Sequence, residues 1–210
     1  MTRRQFLSLI VLVLLGVTVS QFLPNSRPLG RDVSKSASAA RILQDKSSPE
    51  SVRGKGELKV VMFTDYQCPA CRRADPALRR AVARDGNVRI VYKDWPIFGE
   101  RSERAATIAL AAHRQGIYLS LHQRLMKLSS MDETSLRNAV EEAGGDWELL
   151  TEDLLSHRQE IADQLAANRR DAFSLGLQGT PSYLIGPLIV EGALTEREFL
   201  RVLRQARSEN

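Results

Sequence analysis

The pattern of hydrophobic and polar positions changes several times along the 210-residue chain. A continuous run of apolar and weakly polar residues from 6 to 19 comes first, and a stretch rich in proline, glycine and serine from 24 to 56 follows. Farther along, short apolar runs predict strands, because runs of about four to eight such residues are typical of buried strands. The predicted strands are residues 58–64, 88–92, 182–185 and 188–190.

Apolar residues at the spacing of a helix face predict the other elements. The predicted helices are residues 68–84, 102–112, 118–128, 133–143, 148–172 in one or two pieces, and 195–206. The block from about 100 to 175 has no good strand candidate and is long enough to be a helical subdomain. Two strands joined by a helix form a parallel crossover unit, and a closing hairpin adds antiparallel strands. The fold class is therefore α/β, with a small mixed sheet and an inserted helical subdomain.

The first 23 residues predict a signal peptide or a membrane anchor. Arg3 and Arg4 precede an apolar core of 14 residues, which suits a signal peptide better than a full membrane span. Counting to Leu23 lengthens the core to 18 residues, so an uncleaved anchor is an alternative. The paired arginines also resemble a twin-arginine signal, so this route and the general secretory route both stay open. Either route leads to the periplasm or the extracytoplasmic face of the membrane, where a cysteine pair can be kept oxidised.

Composition separates the N-terminal quarter from the rest of the chain. Residues 24–56 contain too little apolar surface to fold alone, so we expect a flexible linker with at most a marginal helix near 37–43. The net charge of +5 lies within residues 1–54, whereas residues 55–210 carry 22 side chains of each sign. The domain predicted over residues 57–208 therefore gives no electrostatic case for nucleic-acid binding, and we expect membrane contact only through the N-terminal segment.

Cys68 and Cys71 are the only cysteines of the chain and its strongest chemical signal. They follow the first predicted strand, and Pro69 between them is well placed to begin a helix. Residues three apart on a helix are neighbours, at close to the separation that a disulfide accepts. Cys68 would then lie at a helix N-terminus, where backbone amides favour its thiolate.

Two other chemistries fit this pattern poorly. A zinc site requires about four ligands, and the remaining candidates are three histidines that do not pair with one another at helical spacing. We therefore expect no metal, and we expect these histidines to be structural or exposed: His113, His122 and His157. A cysteine-histidine hydrolase would leave Cys71 without a purpose.

Three segments together resemble the DsbA family, which consists of thioredoxin-fold thiol-disulfide oxidoreductases of the bacterial cell envelope. They are residues 63–71, Phe-Thr-Asp-Tyr-Gln-Cys-Pro-Ala-Cys, after an apolar strand, residues 92–96, Tyr-Lys-Asp-Trp-Pro, and residues 179–182, Gly-Thr-Pro-Ser. The resemblance covers about residues 55–208 and includes a helical insertion at about 100–175. It implies a thioredoxin fold, dithiol-disulfide exchange and no cofactor.

The resemblance also implies roles for individual residues. Cys68 would be the exposed nucleophile that forms a mixed disulfide with a client protein, and the more buried Cys71 would resolve it. Pro69 and Ala70 would set the redox potential together with their surroundings. Many family members have a histidine in place of Ala70 that stabilises the thiolate, so we expect a milder oxidant than the strongest members.

Thr180 and Pro181 would complete the site. The resemblance implies that Pro181 is cis and lies against the cysteines, and that Thr180 offers backbone groups to the client and tunes the nucleophile. The leading hypothesis is an oxidase that donates the disulfide of its cysteine pair to exported proteins and is reset by a redox partner. The alternatives are a reductase or isomerase of the same fold, and a redox-inert chaperone or binding module that uses the groove around Pro181.

Overall fold

The computed structural model describes residues 29–209, which form a sheet flanked by helices. The strands are β1 Arg31–Asp32, β2 Glu50–Val52, β3 Leu58–Thr64, β4 Val88–Asp94, β5 Ser182–Ile185 and β6 Leu188–Glu191. The helices are α1 Ala37–Gln44, α2 Pro69–Asp85, α3 Glu100–Arg114, α4 Tyr118–Leu125, α5 Glu133–Glu142, α6 Trp147–Ser156, α7 Arg158–Ser174 and α8 Glu196–Ser208. Between residues 29 and 209, no helix is long and apolar enough to cross a membrane. The signal peptide or anchor predicted over residues 1–23 lies outside the described residues.

The strands of the sheet lie in the order β1-β6-β5-β3-β4-β2. β3 and β4 run parallel with α2 as the crossover between them, and the other neighbouring strands are antiparallel. The predicted α/β class with a mixed sheet is therefore confirmed. Because parallel strands end at the same edge of a sheet, the residues that follow β3 and β4 come together there.

Both faces of the sheet are covered. Successive side chains of a strand point to opposite faces, so Met62 and Tyr183 face α2, α8 and the helical insertion. Their neighbours Phe63 and Leu184 face α1 and the end of α7. This double burial explains why residues 60–63 of β3 form a continuous apolar run.

The helical insertion is also confirmed, because α3 to α7 follow one another without a strand from residue 100 to residue 174. The long segment predicted as one or two helices forms two, α6 and α7, which meet at His157. α8 begins with a capping box, in which Thr195 and Glu198 satisfy each other's backbone amides.

The prediction of a flexible linker over residues 24–56 is wrong for residues 29–56, the part of it that the structure describes. β1 pairs with β6 and β2 pairs with β4, so this segment supplies both edges of the sheet. Between them, α1 buries Ile42 completely. The ammonium of Lys93 on β4, 1% exposed, lies 2.6 Å from Asp45 and 2.9 Å from Asp171 on α7.

The physical reason for this error is that the segment depends on the rest of the domain for its order. Strands of two and three residues carry almost no hydrophobic signal, and their backbone groups bond to the sheet whatever the side chains are. α1 is capped by Ser36, whose hydroxyl accepts from the Ala39 amide at 3.3 Å, but an isolated helix of eight residues would be marginal. Composition alone therefore underestimates the order of the segment.

Candidate active site

The loop between β3 and α2 positions the cysteine pair. α2 begins at Pro69, and Cys68 is its capping residue, with a sulfur that accepts a hydrogen bond from the Cys71 amide at 3.3 Å. Pro69 has no amide hydrogen to donate. Its place in the first turn does not weaken the helix, because amides there have no partner within the helix. The predicted position of Cys68 at a helix N-terminus is confirmed.

Burial does not distinguish the two cysteines, since each is 2% exposed. The expectation of an exposed Cys68 is therefore wrong for this structure. The reason is that its sulfur lies 3.2 Å from the carbonyl oxygen of Thr180, in the loop before β5, to which the thiol can donate. The sulfurs of Cys68 and Cys71 are not bonded to each other, so the structure represents the dithiol form.

The pKa values do distinguish the two sulfurs. The hydrogen bond from the Cys71 thiol, with the backbone amides of Cys71 and Ala70, outweighs burial and lowers the pKa of Cys68 to about 6. Burial raises the pKa of the Cys71 thiol far above its ordinary value, and the bond to Cys68 adds to this rise. At neutral pH, Cys68 is therefore a thiolate and Cys71 a thiol, which suits a nucleophile and its resolving partner.

The loop before β5 brings the second part of the site to the cysteines. The Thr180–Pro181 peptide bond is cis, as the family resemblance implies. The Pro181 carbonyl accepts from the Gly192 amide at 2.8 Å, which fixes the loop beside the end of β6. The structure thus brings together the residues predicted for the site, which are Cys68, Pro69, Ala70, Cys71, Thr180 and Pro181. Of these, Pro69 is exposed and Ala70 is half-buried.

Asp65 is a site residue that sequence reasoning missed. Its carboxylate, in a residue 1% exposed, accepts from the Gln67 amide at 2.7 Å and from the Ser102 hydroxyl at 2.6 Å. It also accepts from the amides of Ile97 and Phe98 at 2.7 and 3.2 Å. Asp65 therefore ties the cysteine loop to the loop after β4 and to α3. An aspartate commonly accepts from the amide two residues after it in a turn, and this signal could have indicated the role of Asp65.

A buried polar network behind α2 is a second feature that the sequence did not reveal. His122 on α4 lies 3.1 Å from the Tyr66 hydroxyl and 3.3 Å from Asp75 on α2. The Tyr118 hydroxyl donates to Asp94 at 3.0 Å, and burial raises the pKa of Asp94 to about 6. The network connects the active-site helix to the helical insertion, so His122 is structural, in line with expectation.

Exposed apolar side chains lie near the site. Ile97 is 43% exposed and Phe98 51% exposed, both in the loop held by Asp65. Trp95 is buried and packs edge-on against Phe63 and the exposed Phe173. Within residues 29–209, no group of three or more His, Cys, Asp or Glu side chains is arranged to hold a metal ion.

Comparison with known proteins identifies a family. The DSBA-like thioredoxin domain matches residues 59–204. A curated relative, the Na(+)/H(+) antiporter NhaA 3 of Salinispora tropica, is 32% identical over 145 residues, which are 65% of this chain and 21% of that protein. The chain thus spans about a fifth of the length of this relative. The probable disulfide bond formation protein D of Bacillus anthracis is 26% identical over 206 residues, 91% of this chain and 88% of that protein.

Similar solved structures are also thioredoxin-like proteins. A thioredoxin-like oxidoreductase from Silicibacter pomeroyi DSS-3 is 36% identical with a TM-score of 0.74, covering 79% of this chain and 95% of the other. A periplasmic thioredoxin-like protein from Salmonella enterica serovar Typhimurium is 28% identical with a TM-score of 0.70, covering 81% of this chain and 96% of the other. The family match spans the cysteine pair, the helical insertion and the cis-proline loop. The chain therefore belongs to the DSBA-like thioredoxin domain family of thiol-disulfide oxidoreductases.

Proposed function

We propose that the protein is an oxidase of the cell envelope, which transfers the disulfide between Cys68 and Cys71 to exported proteins. Dithiol-disulfide exchange follows from the family. The proposal concerns the net direction of electron flow, from client to enzyme, and the location in the cell envelope. The observation that carries the direction is the Cys68 sulfur, whose thiolate is stabilised at the N-terminus of α2. Because a stabilised thiolate lowers the free energy of the dithiol, it makes the disulfide a stronger oxidant.

The reaction begins when a client thiolate attacks the Cys68 sulfur of the enzyme disulfide. A bond forms between the client and Cys68, the bond to Cys71 breaks, and Cys71 leaves with the electron pair and is protonated. A second client thiolate then attacks the client sulfur of this mixed disulfide, and Cys68 leaves as the thiolate that the helix terminus stabilises. The client loses two electrons and two protons. The enzyme gains both electrons and takes up one proton on Cys71, and the second proton of the client goes to solvent.

The Cys-Pro-Ala-Cys sequence supports a moderate rather than an extreme oxidant. Ala70 has no side-chain hydrogen-bond donor, so only its backbone amide acts on the Cys68 sulfur. A histidine at that position would add a donor and a positive charge near the thiolate. We therefore expect a reduction potential between those of thioredoxin and of the strongest family oxidants, about −270 and −120 mV.

The proposed location rests on the N-terminal segment and on relatives. Residues 1–23 have the composition of an export signal or anchor, and a relative from Salmonella enterica is described as periplasmic. The partners are then exported proteins with thiols or disulfides, and a redox partner that restores the disulfide. Contact with the membrane involves the N-terminal segment alone.

A trapping experiment tests the exchange with clients. Cys71→Ala in the full-length protein leaves Cys68 as a lone thiolate, which can attack the disulfide of an exported client, with one client sulfur leaving as a thiolate. Because the resolving sulfur is missing, exported clients should accumulate as mixed disulfides on Cys68. The control combines Cys71→Ala with Cys68→Ser and should trap nothing. Adducts that survive in the double variant would mean that Cys68 is not the nucleophile.

The direction of electron flow is tested separately. Alkylation of free thiols in intact cells should find the cysteine pair of the parent protein mostly oxidised. A pair that is mostly reduced at steady state would identify a reductase or isomerase instead. A reduction potential as low as about −270 mV, that of cytoplasmic thioredoxin, would also overturn the oxidase proposal.

A further inference from the structure

Arg72 is a half-buried cation beside the cysteine loop that the site described above does not use. It lies on α2 one turn after Cys68, and its amide donates to the Cys68 carbonyl at 3.1 Å. Residues four apart in a helix are neighbours, with β-carbons about 5–6 Å apart, and helical side chains tilt toward the N-terminus. The side chain of Arg72 therefore extends back along the flank of Cys68.

A hydrogen bond fixes the Arg72 side chain in this position. Its Nε donates to the carbonyl oxygen of Tyr66 at 2.7 Å. Tyr66 lies two residues before Cys68, in a turn that the Cys68 amide closes by donating to the Asp65 carbonyl at 3.2 Å. Because a guanidinium is planar and rigid, a bond at Nε orients the whole group. The positive charge of Arg72 is therefore held at the edge of the loop that carries the nucleophilic sulfur.

The two Nη atoms of Arg72 have no hydrogen-bond or ion-pair partner among residues 29–209. Asp65, the acidic residue of the same loop, is 1% exposed, and its carboxylate already accepts from the four donors described above. The end of a guanidinium fork matches the two oxygens of a carboxylate. Arg72 thus leaves a fixed carboxylate-binding group open to another molecule.

Arginines farther along the same helix differ from Arg72 in this respect. Arg79 pairs with Asp75 and Arg80 pairs with Glu196, each at 3.0 Å. Their charges are therefore compensated within the domain. The uncompensated and immobilised charge on α2 lies next to the cysteine pair, where a client protein must approach.

We propose that Arg72 selects clients that carry an acidic side chain, Asp or Glu, next to the reactive cysteine. The client carboxylate accepts from the Nη groups of Arg72 while the client sulfur meets the Cys68 sulfur. A lysine at the same place in the client is repelled. The inference rests on Cys68 as the nucleophile of the proposed function, and it holds for either net direction of exchange.

The test uses two small disulfides of similar size and opposite charge. 3,3′-Dithiodipropionate has a carboxylate two carbons from each sulfur, and cystamine has an ammonium there. The Cys68 thiolate of the reduced full-length protein attacks one probe sulfur, a mixed disulfide forms, and the other half of the probe leaves as a thiolate. Cys71 then attacks Cys68 and releases the second half, so the protein loses two electrons and the probe gains them.

The measured quantity is a ratio of rates. Samples at low ionic strength and pH 7 are quenched in acid and analysed by mass spectrometry, and the rate with the anionic probe is divided by the rate with the cationic probe. Dividing this ratio by the one for 2-mercaptoethanol, a neutral thiol, removes the intrinsic reactivity of the probes. The pKa of Cys68 also cancels, because both probes react with the same thiolate.

The corrected ratio of the parent should exceed one by roughly fivefold, as expected for unit charges a few ångströms apart near a protein surface. Arg72→Gln should lower it by roughly threefold. Arg73→Gln is the matched control, because Arg73 carries the same charge one residue farther on but is exposed and has no hydrogen bond that fixes its side chain within the described residues. It should change the ratio by less than about 1.5-fold, since exposed mobile charges are screened.

A loss smaller than about twofold in Arg72→Gln would overturn the proposal, and so would equal losses in the two variants. A measurement on the parent keeps the proposal testable should Arg72→Gln fail to fold. Raising the ionic strength from about 0.01 to 1 M shortens the Debye length from about 30 to 3 Å, so the corrected ratio should fall toward one. A parent ratio at or below one at low ionic strength would contradict the proposal.

Failure of the proposed function gives a different result. A reduced parent protein that reacts with neither disulfide would refute the exchange activity itself. A parent that reacts with both probes at the same corrected rate would retain that activity and refute only the role of Arg72.

Discussion

At the scale of single residues, the ionisation of Cys68 depends mainly on its partner Cys71. The hydrogen bond from the Cys71 thiol is the largest cause of the lowered pKa of Cys68, which is about 6. We therefore predict that Cys71→Ala raises the pKa of Cys68 from this value toward the ordinary value of about 8.5. Thiolate absorbance at 240 nm, followed against pH in the reduced protein, measures this shift.

The same titration contains its own control. Cys68→Ala should abolish the ionisation near pH 6, because burial keeps Cys71 protonated far above the ordinary range of a thiol. A parent protein in which the first thiolate forms only near pH 8.5 would contradict the assignment of Cys68 as the ionised sulfur.

Residues of the site were predictable from the sequence when they lay in a local motif. Cys68, Pro69 and Cys71 form a contiguous signal at a helix start, and Thr180-Pro181 was found through family resemblance. The contacts of Asp65 and His122 were not found, because their partners lie up to 37 and 56 residues away in sequence. The burial of Cys68 was missed for the same reason, since the carbonyl against its sulfur is 112 residues away.

At the scale of secondary-structure elements, α1 provides the sharpest contrast with expectation. Ile42 is 0% exposed and packs in the cluster that contains Val61 and Phe63 of β3. We predict that Ile42→Ala lowers the free energy of unfolding by about 2–5 kcal/mol, the usual range for truncating a buried isoleucine. Urea denaturation of the full-length protein measures this difference.

Gln44→Ala is the matched control, because Gln44 lies on the same helix and is exposed. It should change stability by less than about 0.5 kcal/mol. If Ile42→Ala were as mild as this control, residues 37–44 would not belong to the cooperative fold, and the linker interpretation would regain support.

The elements predicted well are those whose own residues show an apolar run or a capping motif. β3 and β5 have the bounds that the apolar runs predict, and the capping box fixes the start of α8. β1 and β2 were missed, because their order comes from pairing with β6 and β4 rather than from their own side chains. Edge strands of this length are specified by the sheet they complete.

At the scale of the whole molecule, the redox state of the site is linked to the stability of the fold. The folded dithiol form contains a Cys68 thiolate with a pKa of about 6, whereas the unfolded chain has a cysteine with an ordinary pKa of about 8.5. A lowered folded-state pKa gives a stabilisation that is complete above the unfolded-state pKa and is lost as the pH falls through the folded-state pKa. The disulfide form has no thiolate and lacks this contribution.

We therefore predict that the reduced protein gains stability over the oxidised protein as the pH rises from 6 to 8, by at most about 1.4 kcal/mol per pH unit. Urea unfolding at pH 5.5, 6.5 and 7.5, with and without dithiothreitol, measures the difference, and below pH 6 it should stay constant. Cys68→Ser in its reduced form should lack the pH-dependent part, which separates the thiolate from the acidic groups of the fold. Because the same free-energy difference makes the folded disulfide more oxidising than an unfolded one, a difference that is independent of pH would remove the physical basis of the oxidase proposal.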